Sequence, residues 1–207
     1  MSANYNNSAW FYDSLARLVY GRALVNAQVY LLQHTPANSN VLIVGGGTGW
    51  ILEELARIHP SGLSITYVEI APAMMALSQK RSIGKNKVTF INDAIENVAL
   101  PPDFDVVVTP FLFDNFTEET LHKVFNGISG LLKEDGIWLN CDFQLTGKWW
   151  QWVMLKSMFV FFRMVCGIEA SRLPGIERCF ENGGYRAAEE KSFLGSLLKR
   201  GYIRSNN

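Results

Sequence analysis

"VLIVGGGTGW", residues 41–50, decides how this chain is read. Four apolar residues, Val41 to Val44, run directly into Gly45, Gly46 and Gly47, then Thr48, Gly49 and Trp50. An unbroken apolar run of this length, rich in β-branched residues, suits a strand covered on both faces. Glycine permits a sharp exit and leaves the main chain bare, so ligand atoms can approach without meeting a Cβ. A helix starting near Thr48 to Trp50 would add unpaired N–H groups facing an anionic or carboxylate group. Four glycines within five positions exceed what an ordinary strand-to-helix turn needs. The stretch is therefore expected to be a ligand-binding turn.

Outward from this turn the chain alternates. "WILEELARIHP" has helical spacing and closes at Pro60, and "LSITYVEI" is a β-branched and aromatic strand. "APAMMALSQKR" reads as a helix with Pro72 in its first turn. "KVTFIND" and "FDVVVTPF" read as strands. "TEETLHKVFNGISGLL" is a helix that Thr117 can cap, with Glu118 and Glu119 at its positive end. "GIWLNCDF" is a further strand. Strands separated by helix-length segments imply parallel crossovers. The expected fold is α/β: a three-layer α-β-α sandwich around a mostly parallel seven-stranded sheet, with a C-terminal antiparallel hairpin near "FLGSLLK" and N-terminal helices. A single domain over 1–207 is expected. It divides into an N-terminal helical cap (1–38), a core (39–145), a helical insertion (146–182) and the last strands (183–207). Gly21 marks an expected break between two N-terminal helices.

Bulk properties narrow the class. The 207 residues are 48% hydrophobic and 18% charged, enough for one sizeable core and without a disorder signature. Nineteen basic residues balance nineteen acidic ones, so no electrostatic footprint for nucleic acid appears. Cys141, Cys166 and Cys179 form no CxxC pair. Neither a disulfide framework nor a metal site is expected, and a reducing cytoplasm fits. "MSANYNNSAW" lacks the basic and apolar regions of a signal peptide. In "KWWQWVMLKSMFVFFRMVCGIEA", Lys156 and Arg163 interrupt the apolar run and share one helical face. This reads as a wide-faced amphipathic helix rather than a membrane span.

The ligand follows from the spacing. The dinucleotide pattern G-x-G-x-x-G needs glycine at position 50, which is Trp50; here Gly45, Gly47 and Gly49 give G-x-G-x-G. The second strand ends at Glu69, twenty residues beyond Gly49, where an acid can accept hydrogen bonds from a ribose diol.

With "YVEI", "INDA", "FDVVVTPFLFDNF" and "LLKEDGIWLNCDF" following in order, residues 8–145 resemble the Rossmann-like, class I S-adenosylmethionine-dependent methyltransferases. "WFYDSLARLVYG" resembles the N-terminal helix of their small-molecule members. Glu134 and Asp135 replace the usual residues before Gly136. The resemblance implies that Gly45, Gly46, Gly47, Thr48 and Gly49 lie against the methionine part of the cofactor, S-adenosyl-L-methionine, and that Glu69 meets its ribose. It places Ile70 and Met74 near the adenine, with Asp93 and Ala94 reading the adenine edge. Thr109 and Phe111 would flank the methionine end, and Tyr12 would close over the cofactor.

Such a cofactor carries an electrophilic methyl group, and the protein mainly aligns acceptor and methyl and excludes water. A base is needed only if the acceptor loses a proton. Asp114 is the candidate, with Asp142 behind it; His34 lies in a Pro-containing linker and is not expected to carry chemistry, and His59 and His122 read as helix-surface residues. Phe113, Trp149 and Trp150 are candidate acceptor contacts, and an apolar or aromatic small molecule would suit them. The 149–166 segment alternatively suits a homodimer interface or a peripheral membrane contact. The competing functional readings are a non-catalytic cofactor-binding dimeric scaffold and a nicotinamide-dependent oxidoreductase. An aminopropyl transferase is disfavoured because Thr48 stands where that family carries an acid.

Overall fold

A computed structural model describes residues 23–143, 156, 174–189 and 198–204. Its first described helix is α1 (Ala23–Leu32), followed by β1 (Asn40–Val44), α2 (Trp50–Ile58), β2 (Ser61–Val68), α3 (Pro72–Ser78) and β3 (Lys85–Ile91). Next come β4 (Phe104–Pro110), a 3₁₀ turn at Phe113–Asn115, α4 (Glu118–Ser129) and β5 (Leu132–Phe143). The described chain closes with α5 (Ile176–Asn182), β6 (Tyr185–Glu189) and β7 (Leu198–Arg204). The seven strands form one sheet in the order β3-β2-β1-β4-β5-β7-β6. The first five are parallel, while β7 runs antiparallel to both β5 and β6. The expected α/β sheet and its closing antiparallel pair are both present.

The pleat of β1 organises the layers. Val41 and Ile43 face one core with Ile51, Leu52 and Leu55 of α2 and Leu31 and Leu32 of α1. Leu42 and Val44 face the other, with Leu121, Val124, Phe125 and Ile128 of α4. Strict alternation sends neighbouring side chains to opposite layers, so an uninterrupted apolar strand is needed where helices cover both faces. Each fully buried aliphatic side chain here contributes about 1.5–3 kcal/mol of transfer free energy. In α4 the buried positions 121, 124, 125 and 128 recur at helical steps. Thr117 starts that helix, its side chain accepting from Thr120 N at 3.4 Å. Helix α2 stops at His59, which has extended backbone, just before Pro60.

Strand β5 starts earlier than the glycine at 136 suggested. Its pairing with β4 shifts between Phe104↔Leu132 and Val106↔Ile137, so Lys133–Gly136 is absorbed as an irregularity within the strand. Lys133 Nζ there donates to Asp105 at 2.8 Å, and Asp105 also accepts from Asn40 N at 2.8 Å. That link joins the starts of β1, β4 and β5. Among the described residues, no helix is long and apolar enough to cross a membrane.

Strand order reverses between β1 and β4. Beyond the carboxyl ends of these strands an open α/β sheet forms its ligand crevice.

Candidate active site

The turn after β1 is built around its glycines. Gly45, Gly47 and Gly49 have φ of 70°, 63° and 78°, a region that L side chains rarely adopt. A Cβ on Gly46 would overlap the Tyr67 ring, and one on Gly49 would overlap Ser78. A Cβ on Gly47 would meet nothing within 4 Å. Gly46 and Gly49 thus serve packing, while Gly47 borders open space.

That space is a cavity of about 420 Å³ at the carboxyl ends of the strands. Its floor and walls include Gly45, Gly46, Gly47, Thr48 and Trp50. Glu69, Ile70 and Met74 enter after β2, and Asp93 and Ala94 after β3. Phe111, Leu112, Asn115 and Phe116 enter after β4, and Gln28 reaches in from α1.

Glu69 is the buried charge of this cavity, 6% exposed. Its Oε2 accepts from Gly47 N at 3.0 Å and its Oε1 from Ala71 N at 2.9 Å. Burial raises its carboxyl above the usual range, and the backbone N–H groups of Ala71, Gly47 and Ile70 oppose that rise. A carboxylate has about four acceptor sites, so capacity remains for a ligand hydroxyl. Tyr67 Oη donates to Gly47 O at 3.0 Å, and Arg81 Nε donates to Thr48 O at 2.9 Å. Both brace the backbone of the turn. Asp93 Oδ1 accepts from Ala94 N at 2.7 Å and from Asn97 Nδ2 at 2.9 Å, fixing the corner after β3.

Phe111 has φ 54°, an uncommon conformation for a non-glycine residue. Its N–H donates to Cys141 O at 2.6 Å. The left-handed step at the end of β4 breaks the strand pleat just where Phe111 and Leu112 join the cavity wall.

Of the residues singled out in the sequence, the structure brings Gly45, Gly46, Gly47, Thr48, Glu69, Ile70, Met74, Asp93, Ala94 and Phe111 onto one wall. Gly49 packs behind it against Ser78. Three others lie elsewhere. Thr109 is fully buried and takes a hydrogen bond from Trp138 Nε1 at 2.9 Å, because the β4 pleat sends it to the α4 layer with Val107. Phe113 is fully buried among Phe116, Phe125 and Trp138, so it is core and not an acceptor contact. Asp114, 6% exposed, does not line the cavity. Tyr12, Trp149, Trp150 and nearly all of the 149–166 segment lie outside the described residues. Gln28 was missed. Its one signal is that, with Asn26, it is one of two amides in an otherwise apolar helix.

Asp114 belongs to a second buried group with Asp142, 5% exposed. The backbone N–H groups of Phe113 and Asp114 in the 3₁₀ turn act on Asp142 against the rise that burial imposes on its carboxyl. Thr109 Oγ1 lies 2.8 Å from the Asn140 amide. With its nitrogen facing the carboxylate, that amide also donates to Asp142 Oδ2 at 3.0 Å. Asp142 Oδ1 has no partner. Burial pushes Asp114 up to about 8. Burial, then the Asp114 charge, pushes Asp142 well above the carboxylate range, and the Cys141 thiol beside them rises too. Among the described residues no group of His, Cys, Asp and Glu is arranged to hold a metal ion.

A seven-stranded sheet of this order, with a glycine turn after the first strand and an acid after the second, is the Rossmann-like class I methyltransferase fold. Residues 41–136 of the chain match the family described as a methyltransferase domain. It is 29% identical over 134 residues to malonyl-[acyl-carrier protein] O-methyltransferase of Bacillus cereus, an alignment covering 62% of this chain and 48% of that protein. The Bacillus cytotoxicus enzyme of the same name is 27% identical, covering 63% and 46%. The chain therefore spans about half the length of the curated relatives it matches. Among solved structures it is similar to the Burkholderia thailandensis 1,6-didemethyltoxoflavin-N1-methyltransferase with bound S-adenosylhomocysteine. There the TM-score is 0.66 at 15% identity, covering 95% of this chain and 84% of that one. Human N-acetylserotonin methyltransferase in complex with its cofactor gives a TM-score of 0.65 at 18% identity, covering 88% and 52%.

Proposed function

We propose that this chain transfers the methyl group of S-adenosyl-L-methionine to a small apolar or aromatic acceptor. The observation that carries the reading is the buried Glu69 carboxylate, held against the Gly47 N–H on the wall of a 420 Å³ cavity. The residues present fit the cofactor. Glu69 retains acceptor capacity for ribose hydroxyls, Gly47 leaves open space for close approach, and Ile70 and Met74 offer apolar contact beside the Asp93–Ala94 corner.

When bound, the cofactor supplies a sulfonium-activated methyl group. The chain's own contribution is to bind, orient and exclude water. The glycine turn would hold the amino-acid end and Glu69 the ribose. Pro110, Phe111, Leu112, Phe116 and Ile95 supply the apolar wall that favours an apolar or aromatic acceptor. Asp114, proposed as the base, would need a path to the acceptor, since it does not border the cavity. An acceptor that needs no proton removal suits this wall best.

The test is calorimetry with S-adenosylhomocysteine, followed by transfer of labelled methyl into an acceptor panel. Glu69→Ala is expected to lose about 1.5–3 kcal/mol of binding, from stranded ribose hydroxyls and from the Gly47 N–H that loses its brace. Unchanged affinity in that variant would remove the basis of the reading. Binding without turnover on any acceptor would favour the scaffold alternative. Preference for NAD would favour the oxidoreductase. Labelling of a malonyl thioester in place of aromatic acceptors would replace the proposed acceptor class with the one named for the Bacillus relatives.

A further inference from the structure

We propose that Asp114 is a positioning residue: through the Asn115 amide it fixes the left-handed end of β4 and, with it, the cavity wall formed by Phe111 and Leu112. The assignment rests on the adenosyl reading of the cavity. The contact runs through one nitrogen. Asn115 Nδ2 donates to Asp114 Oδ1 at 2.7 Å, to Phe111 O at 2.8 Å and to Leu112 O at 3.2 Å. The amide has two hydrogens, so three acceptors share them, two from the strand end and one from the Asp114 carboxyl. Asn115, Phe111 and Leu112 line the cavity, whereas Asp114 is buried off its wall. Leu112 also reaches the glycine turn: a Cβ on Gly45 would come within 2.9 Å of its Cδ1. A shift at the end of β4 is therefore felt by both the wall and the turn.

The arrangement depends on a neutral carboxyl. Asp114 lies beside the buried Asp142, whose Oδ1 has no partner. Two neighbouring buried carboxyls repel when both ionise, and an unpartnered oxygen gives a charge no compensation. Other groups that can charge stand on the elements packed here. They are Cys141 on β5, Lys199 at the register position opposite Asp142 on β7, and Tyr30 on α1. Helix α4, on which Phe113 packs, carries Glu118, Glu119, His122 and Lys123. Burial pushes Asp114 up to about 8, so at neutral pH it keeps its proton and stays in the core with Asn115. At higher pH the carboxylate gains by reaching water, which draws it off Asn115 or moves the 3₁₀ turn with it. Either movement loosens Phe111 and Leu112. Binding that needs the ordered wall is thus strongest below about 8 and weakens as pH rises through that value.

Calorimetry of S-adenosylhomocysteine on the full chain tests this with wild type, Asp114→Asn and Asp114→Leu. Asn keeps an oxygen for the Asn115 amide and cannot ionise; Leu cannot ionise either but offers no acceptor. The ratio of wild-type to Asp114→Asn affinity is expected to fall about tenfold between about pH 6.5 and pH 9.5, and the ligand's own titration cancels in that ratio. At the lower pH, Asp114→Leu is expected to bind about fivefold more weakly than Asp114→Asn. A carboxyl that merely fills the core would give a flat ratio and two neutral variants that bind alike. Either result overturns the assignment and leaves the adenosyl reading standing. Should Asp114→Leu fail to fold, the ratio of wild type to Asp114→Asn decides alone. If the wild-type chain binds no S-adenosylhomocysteine at either pH, the adenosyl reading falls and this assignment with it.

Discussion

Glu69 and Asp142 are both carboxylates just past or within strand ends, and both are nearly excluded from water. Their surroundings differ. Glu69 receives backbone N–H groups on both oxygens and opens onto the cavity. Asp142 has a second buried carboxyl, Asp114, as its neighbour, keeps Oδ1 without a partner, and lies off the cavity wall. Burial alone therefore does not define the site; a satisfied carboxylate facing open space does. The Asp114–Asp142 pair is a cost that the fold carries to hold the 3₁₀ turn between the cavity wall and α4.

The sharpest way to break this comparison is a pH series on Asp114→Asn. In the wild-type protein Asp114 is raised from the usual 3.8 to about 8. Below the unfolded value both states hold the proton, and the site costs nothing. As pH rises towards 8 the unfolded chain releases the proton into water while the folded chain keeps it, so stability falls across that window and levels off above it. Asn cannot titrate and removes the like charge facing Asp142. Chemical denaturation should show the variant gaining on wild type by about 3 kcal/mol between pH 4 and pH 9, an order-of-magnitude figure from the burial of an uncompensated polar group. A constant difference across that range would mean that the pair is relaxed and that Glu69 is not special in being satisfied.

The glycine turn supplies the next comparison. Gly49→Ala combines a φ of 78° with overlap on Ser78, so it should destabilise by about 2 kcal/mol in thermal or denaturant unfolding. Gly47→Ala has open space around its new Cβ and should cost less in stability while intruding on the ligand. The expected pattern is crossed: Gly49→Ala mainly lowers Tm, and Gly47→Ala mainly weakens S-adenosylhomocysteine. Parallel losses in both variants would show that the turn acts as one unit.

What the sequence disclosed was local. The apolar run of β1, the glycines after it and the acid after β2 each follow from a short pattern with one physical meaning, so the sheet, the turn and Glu69 could be read directly. What it concealed depends on which way a side chain points at an element's end. Thr109 and Phe111 are two residues apart, and a continued pleat would send them to the same face. The left-handed step at Phe111 separates them, placing one in the aromatic layer and the other on the cavity wall. Phe113 follows the turn into the core for the same reason. Gln28 escaped because the two amides in "ALVNAQVYLL", Asn26 and Gln28, look alike in sequence, and only Gln28 lines the cavity. The reach of Asp114 likewise depended on its packing against Asp142, a residue 28 positions away in sequence.

Phe111 offers the smallest effect and the finest discrimination. A left-handed conformation costs an L-residue about 1 kcal/mol, and glycine escapes that cost. Truncation of Phe111 to Ala or to Gly removes the same ring from the cavity wall. The two variants should bind an aromatic acceptor equally poorly, since neither presents an apolar side chain of any size. They should differ in stability, with Phe111→Gly the more stable by about 1 kcal/mol. That inverts the order expected in a strand or helix, where Gly is worse than Ala. Denaturant midpoints measured side by side decide it. If Ala proves the more stable, the backbone at the end of β4 is not held in the left-handed region. The separation of Phe111 from the Thr109 face, on which the apolar wall depends, would then need another cause.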